Sequence, residues 1–369
     1  MRRLVFALLL ILPACIPADA KPICGKPGKP PCPTTTTPTP PPTTTTPTPA
    51  PLSTDKRIAV MLINFSDDVR QPWTTAFIDS RFDGPSRTVS DFYARSSFGQ
   101  LDVSADVFGW FVIAQPATPC SLSATANQAD AAATASGVDL SLYTNRMYVF
   151  PASGRTGECI SNGDMPGTRS WVSIPVSSCV EATGICQERT FVHEFGHNLG
   201  MDHAGKLLCD GGVLDGTCTF GQYGDSYDVM GCCPGSLLSN VHRLQMGWIP
   251  PGQVITVTTS QILTVTPLND PASLVYRIPY GANYLYLENR NERTIYENGP
   301  GTWGGDQLLF RIYPDFTVRA QSQVLDGSPA TDHNTWLGLP VGESFTPPGG
   351  PTITNLAFDG ANNTVQIGV

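Results

Sequence analysis

The sequence predicts two folded parts: a mixed α/β domain over residues 55–250 and an all-β, sandwich-like domain over 251–369. Three observations predict this. Strand-like and helix-like segments alternate from Arg57 to Leu199, which calls for a mixed sheet covered by helices. After Trp248 only short β-rich segments remain, with apolar residues at a period of two. Between them lies the rigid, turn-rich stretch Trp248-Ile249-Pro250-Pro251-Gly252.

The chain opens on a targeting segment, residues 1–20. Arg2 and Arg3 precede the apolar run Val5–Leu12, which is too short for a membrane helix of ~20 residues. Ala18-Asp19-Ala20 fits the small-x-small cleavage rule and gives a mature start at Lys21. Leu12-Pro13-Ala14-Cys15 offers a second exit, a surface lipoprotein anchored through Cys15. Residues 21–54 form a cysteine-containing segment and a linker. Positions 33–51 are Pro and Thr apart from Ala50, a composition that buries nothing. As an extended spacer at ~3.1 Å per residue it reaches on the order of 60 Å.

Within the first domain, Arg57–Phe65 reads as a buried strand and Ser86–Ser97 as a helix ending before Gly99. Leu101–Ile113 is a strand, Ser123–Ala135 an Ala-rich helix and Tyr143–Phe150 a strand. Trp171–Ile174 is expected as a short edge strand. In the second domain, strands are expected at Val254–Thr258, Ile262–Thr266, Leu274–Ile278, Tyr284–Glu288, Leu308–Tyr313 and Thr364–Val369. Leu308, Phe310 and Ile312 share one strand face.

Composition narrows the function. A net charge of −9 argues against nucleic acid or an anionic membrane as partner, since both need a basic surface. No later stretch is long and apolar enough to span a bilayer. Of the 11 cysteines, either exit removes Cys15 from the thiol count. The even remainder reads as disulfides of an exported chain. Proximity offers Cys24–Cys32, Cys179–Cys186 and Cys209–Cys218, while the full pairing stays open. No CxxC pair supports a cysteine-built zinc site.

The chemistry concentrates in His193-Glu194-Phe195-Gly196-His197-Asn198-Leu199-Gly200-Met201-Asp202-His203, which holds three of the chain's 5 histidines. On a helix, His193 and His197 stand one above the other and can grip one cation. Glu194 stands beside the metal, free to hold a water. Val192, Phe195 and Leu199 turn to the core. Gly200 can take positive φ, end the helix and return the chain so that His203 becomes a third ligand. Three protein ligands leave a position for water, the catalytic arrangement of zinc. Glu194 is then the candidate general base and acid.

A bare HExxH occurs by chance in roughly one chain in a hundred of this length, and Gly200 with His203 lowers that about a thousandfold. HEFGHNLGMDH resembles the zinc signature of the metzincins. Tyr223-Gly224-Asp225-Ser226-Tyr227-Asp228-Val229-Met230-Gly231 resembles their Met-turn. With Leu244-Gln245-Met246-Gly247-Trp248 it resembles the gametolysin family from about Asp55 to Trp248. The resemblance implies a metzincin-like catalytic domain, Met230 as the floor of the zinc site, and a zinc endopeptidase; with its leader, the chain is expected to be secreted and to act as a monomer. Its implied substrates are extracellular or cell-wall proteins, including structural glycoproteins.

Other signals are weaker. Tyr223 and Tyr227 are expected to pack. His242 and His333 are assigned to structure and not to zinc. Pro22-Ile23-Cys24-Gly25-Lys26-Pro27 resembles a cysteine-switch segment, but Ile23 replaces its arginine and Cys32 offers Cys24 a disulfide partner. The rival to an enzyme is a non-catalytic, secreted or tethered binding protein with a structural metal site. The carboxylate of Glu194 beside two ligands favours the enzyme.

Overall fold

The computed structural model describes residues 55–369, except 85, 187, 211, 232–235, 291–306, 318–319 and 328–337. The leader, the Pro/Thr spacer, Cys24, Cys32, Cys232, Cys233 and His333 lie outside the described residues.

Strand β1 (Asp55–Asn64) is the centre of the first sheet. It pairs in parallel with β2 (Asp102–Val112) and β3 (Asn145–Pro151). Beyond β3 come β4 (Asn162–Gly163) and β5 (Arg169–Ile174), in the sheet order β2-β1-β3-β5-β4. Only β4 runs antiparallel. The expected edge strand at Trp171–Ile174 is therefore an inner strand, because the short β4 shields its outer side.

Both faces of this sheet are covered, which explains why β1 reads as a continuous apolar run and not as an alternation. Ile58, Val60 and Leu62 face a cluster shared with Phe92, Phe191, Val192 and Phe195. Ala59, Met61 and Ile63 face the other way, onto Ala126, Ala129 and Ala133. The helices behind these contacts are α1 (Thr75–Asp79), α2 (Val89–Ser96), α3 (Leu122–Ala135) and α4 (Arg189–Leu199). Thr88 caps α2 and Ser121 caps α3, each side chain accepting a backbone N–H of the first turn. A two-stranded ribbon, β6 (Cys179–Val180) and β7 (Ile185–Cys186), precedes α4.

The second sheet crosses the boundary expected at residue 250. Its order is β10-β12-β13-β14-β15-β8-β9. Strands β8 (Ala204–Cys209) and β9 (Cys218–Gly221) come from the first half of the chain. The others are β10 (Val254–Thr256), β12 (Val275–Tyr280), β13 (Asn283–Asn289), β14 (Leu308–Tyr313) and β15 (Ser322–Leu325). Parallel pairing of β15 with β8 sets Ser322 opposite Ala204. A third sheet, β11-β18-β17-β16, uses Gln261–Val265, Asn363–Gly368, Thr352–Phe358 and Ser344–Phe345.

Leu263, Val365 and Ile367 of the third sheet share a core with Leu287, Leu308 and Phe310 of the second. The opposite face of β14 would meet solvent in a simple two-sheet sandwich. Here Leu309, Arg311 and Tyr313 are buried as well. They pack toward the loop at 225–230 and toward α5 (Asn240–Gln245), whose Val241 and Leu244 touch Tyr286 and Tyr313.

Disulfides Cys179–Cys186 and Cys209–Cys218 close the β6–β7 and β8–β9 ribbons as proximity predicts. Cys120–Cys159 spans 39 residues and was not among the expected pairs. No helix among the described residues is long and apolar enough to cross a membrane.

Candidate metal centre

Helix α4 carries the first two histidines on its inner face. It ends at Gly200, whose φ of 105° lies in the left-handed region that glycine enters without a Cβ clash. The amide N–H groups of Gly200 and Met201 close the helix onto the carbonyls of His197 and Gly196, at 2.8 and 3.1 Å. The chain then doubles back. One candidate ligand nitrogen from each of His193, His197 and His203 falls within 4.8 Å of the other two.

The rings are oriented from behind. Nδ1 of His193 lies 2.9 Å from the carbonyl oxygen of Val229, and Nδ1 of His197 lies 2.8 Å from that of Met201. Nδ1 of His203 lies 3.2 Å from the side-chain amide of Gln222. With each Nδ1 engaged, each Nε2 is left to converge on a cation. Burial pushes all three imidazoles down, His193 to about 3 and His203 to about 4. They are therefore neutral at neutral pH, with lone pairs to offer. Three neutral imidazoles with bonded second nitrogens suit zinc as a donor set.

Glu194 follows His193 in the helix and is only 6% exposed. Burial raises its carboxyl to about 8, and the Arg189 guanidinium pulls slightly the other way. A bound cation also acts downward. A buried carboxyl whose proton affinity lies near the working pH can take up a proton and give it back.

Met230 packs against the helix at Gly196, between the first two histidines. A Cβ built on Gly196 would stand 2.5 Å from its Sδ, so helix and Met-turn approach as closely as glycine permits. A Cβ on Gly231 would stand 2.0 Å from the Asp225 carbonyl oxygen and 2.8 Å from that of Ala204. Edge strand β4 is pressed against the helix in the same way, since a Cβ on Gly163 would lie 2.5 Å from the Glu194 carbonyl oxygen. Asn198 holds that contact. Its side-chain amide donates to the carbonyls of Asp164 and Arg169 at 3.0 and 2.7 Å.

The structure thus brings together His193, His197 and His203, with the buried Glu194 next to His193 in the helix and Met230 packed against Gly196. Tyr223 packs as expected, but on the histidines: its ring centroid is 4.1 Å from that of His203. Tyr227 is buried against Leu309 and Val324. His242 is fully buried, with Nδ1 2.7 Å from Asp228. Sequence reasoning missed Asn198, Gln222 and the Val229 carbonyl. Asn198 carried a readable signal, a side-chain amide inside a helix whose residues from Phe191 to Leu199 are all buried. Gln222 and Val229 act through positions that depend on distant chain.

The sequence from residue 57 to 293 matches the gametolysin peptidase M11 family, and so runs past residue 250. No curated protein matches the chain significantly. Among solved structures, archaemetzincin from Methanopyrus kandleri aligns at 14% identity and a TM-score of 0.28. That alignment covers 53% of this chain and 96% of the archaeal one. The superposition is too loose to transfer any feature.

Proposed function

The chain belongs to the gametolysin peptidase M11 family, and from this premise we propose that it is a secreted, zinc-dependent endopeptidase of the metzincin type. The observation that carries the reading is the buried Glu194 carboxyl, next in the chain to His193, on the helix that presents two of three converging, neutral imidazoles. A purely structural site has no use for a fourth titratable group held at that place.

His193, His197 and His203 hold the metal. Zinc, when bound, supplies a Lewis acid that acidifies a water and polarises the carbonyl of the scissile bond. A Glu194 carboxylate oxygen takes the proton from the attacking water and passes it to the leaving amide nitrogen. Gly196 and Met230 fix the height of the rings, and the Val229 and Met201 carbonyls fix their rotation. The substrates we propose are extracellular or cell-wall proteins. The apolar leader and the disulfides support an exported site of action.

Casein hydrolysis by the purified full chain tests this, measured with a chelator and again after zinc is restored. One zinc per chain, cleavage, loss with chelator and recovery with zinc are expected. A folded, zinc-loaded chain that cleaves no protein substrate would leave the binding-protein reading in place instead.

A further inference from the structure

The face of the second sheet turned toward the Met-turn carries a closed ionic network. Arg311 on β14 is 0% exposed. Its guanidinium is paired with Asp225 and lies 3.4 Å from Glu288 Oε1 on β13. It also donates to Ser322 Oγ on β15, at 3.2 Å. Glu288 in turn accepts the backbone N–H of Asn240 at 2.9 Å, at the start of α5, and pairs with Arg290. No single loop holds Arg311. It gathers three strands and the segment leading into the Met-turn.

From Asp225 a short chain of hydrogen bonds reaches the histidines. The backbone N–H of Asp225 donates to the Ala204 carbonyl at 3.3 Å, and the Ala204 N–H donates to the Met230 carbonyl at 2.9 Å. Ala204 directly follows His203. The residue before Met230 is Val229, whose carbonyl orients His193. The second route is the sheet itself, because Ser322 is paired with Ala204 across β15 and β8. His197 stands apart, since the Met201 carbonyl that orients it lies within its own turn.

We infer that Arg311 is a positioning residue of the metal centre, setting His193 and His203 through Asp225 and β15 although it touches neither. The inference rests on the zinc reading of the three histidines. It implies that the strands after residue 250 complete the site, so that residues 55–250 alone do not hold the whole apparatus.

The test uses full-length protein. Arg311→Lys keeps the charge but not the fork that meets Asp225, Glu288 and Ser322 together. Zinc affinity is measured by chelator competition, and ligand geometry by the visible spectrum of the cobalt-substituted protein. Arg311→Lys is expected to weaken zinc tenfold or more and to change the cobalt spectrum. Phe310→Leu, its neighbour facing the third sheet, is expected to leave both within twofold of wild type. A folded Arg311→Lys whose affinity stays within twofold of wild type overturns the inference.

Should that variant not fold, wild type alone decides, because coupling between two sites is reciprocal. Removing zinc should then speed amide exchange at Leu308–Tyr313 and Ser322–Leu325 more than at Thr352–Phe358. Equal change in both regions, or none, overturns the inference. A wild-type chain that binds no zinc refutes the metal reading first, and takes this inference with it.

Discussion

The Met-turn separates two polar clusters built to opposite rules. On one side, His193, His197 and His203 are neutral, and each keeps a nitrogen for something else. On the other, Asp225, Asp228, His242, Glu288 and Arg311 are buried and ion-paired, with His242 Nε2 alone of their ring and guanidinium nitrogens left without a hydrogen-bond partner among the described residues. Burial pushes the Asp228 carboxyl up, but the His242 ring and the Arg311 guanidinium outweigh it and hold it well below the usual carboxylate range. The same carboxylates hold Arg311 charged against the cost of its own burial. Side chains with spare valence cost stability and are kept for a ligand, whereas paired ones define a single geometry. The open cluster should therefore respond to mutation first in chemistry, and the closed one first in stability, reaching the metal only through the placement of His193 and His203.

The sharpest test is His197→Ala. Bound zinc and hydrolysis should both fall to background. The melting temperature of the zinc-treated variant should match that of chelator-treated wild type, because the metal's contribution to folding is gone. A variant that still binds zinc stoichiometrically would break the comparison on its open side.

Glu194→Gln comes next. The amide keeps the shape but accepts no proton, so kcat should fall ~10²–10⁴-fold with zinc content unchanged. Near-normal hydrolysis by the zinc-loaded variant would remove Glu194 as general base.

Asp228→Asn probes the closed side. Asp228 accepts the Met230 and Ser239 N–H groups, both at 2.8 Å, and pairs with His242. Breaking a pair buried on both sides should cost roughly 3–5 kcal/mol in a denaturant melt. At saturating zinc, kcat should change by less than about tenfold, or 1.4 kcal/mol. A stable variant with collapsed kcat would reverse the roles of the two clusters.

Gly196→Ala, on the wall between them, is the mildest. Its methyl would begin 2.5 Å from the Met230 sulfur, which must move. Overpacking of this kind costs about 1–3 kcal/mol. Thermal melts of the zinc-free and zinc-bound forms measure it, with a loss expected in both.

The open cluster was legible in the sequence because its information is local. A helical repeat of four, a glycine that ends the helix and a short return loop place His193, His197 and His203 within eleven residues of chain. The strands were legible for the same reason, with β1, β3 and β14 found within a residue or two of their ends. The sheet that joins the halves was not. Ala204–Cys209 (AGKLLC) has no clean alternation, and its partner β15 lies more than a hundred residues on. Register between such distant strands is set by packing that no short window contains. One clue was present. Arg311 interrupts the apolar strand LLFRIY on the face opposite Leu308, Phe310 and Ile312. A charge there fits either solvent or a paired, buried partner, and no short window decides between them.

Pairing β8 with β15 also has a consequence in time. A growing chain delivers all three histidines by residue 203, yet the strand that flanks Ala204 is not made until residues 322–325. At usual synthesis rates of ~5–20 residues per second, that gap lasts on the order of ten seconds. During it the nascent chain carries the ligands without their frame. On the reading of Arg311 proposed above, the metal site matures only once residues 322–325 have been made.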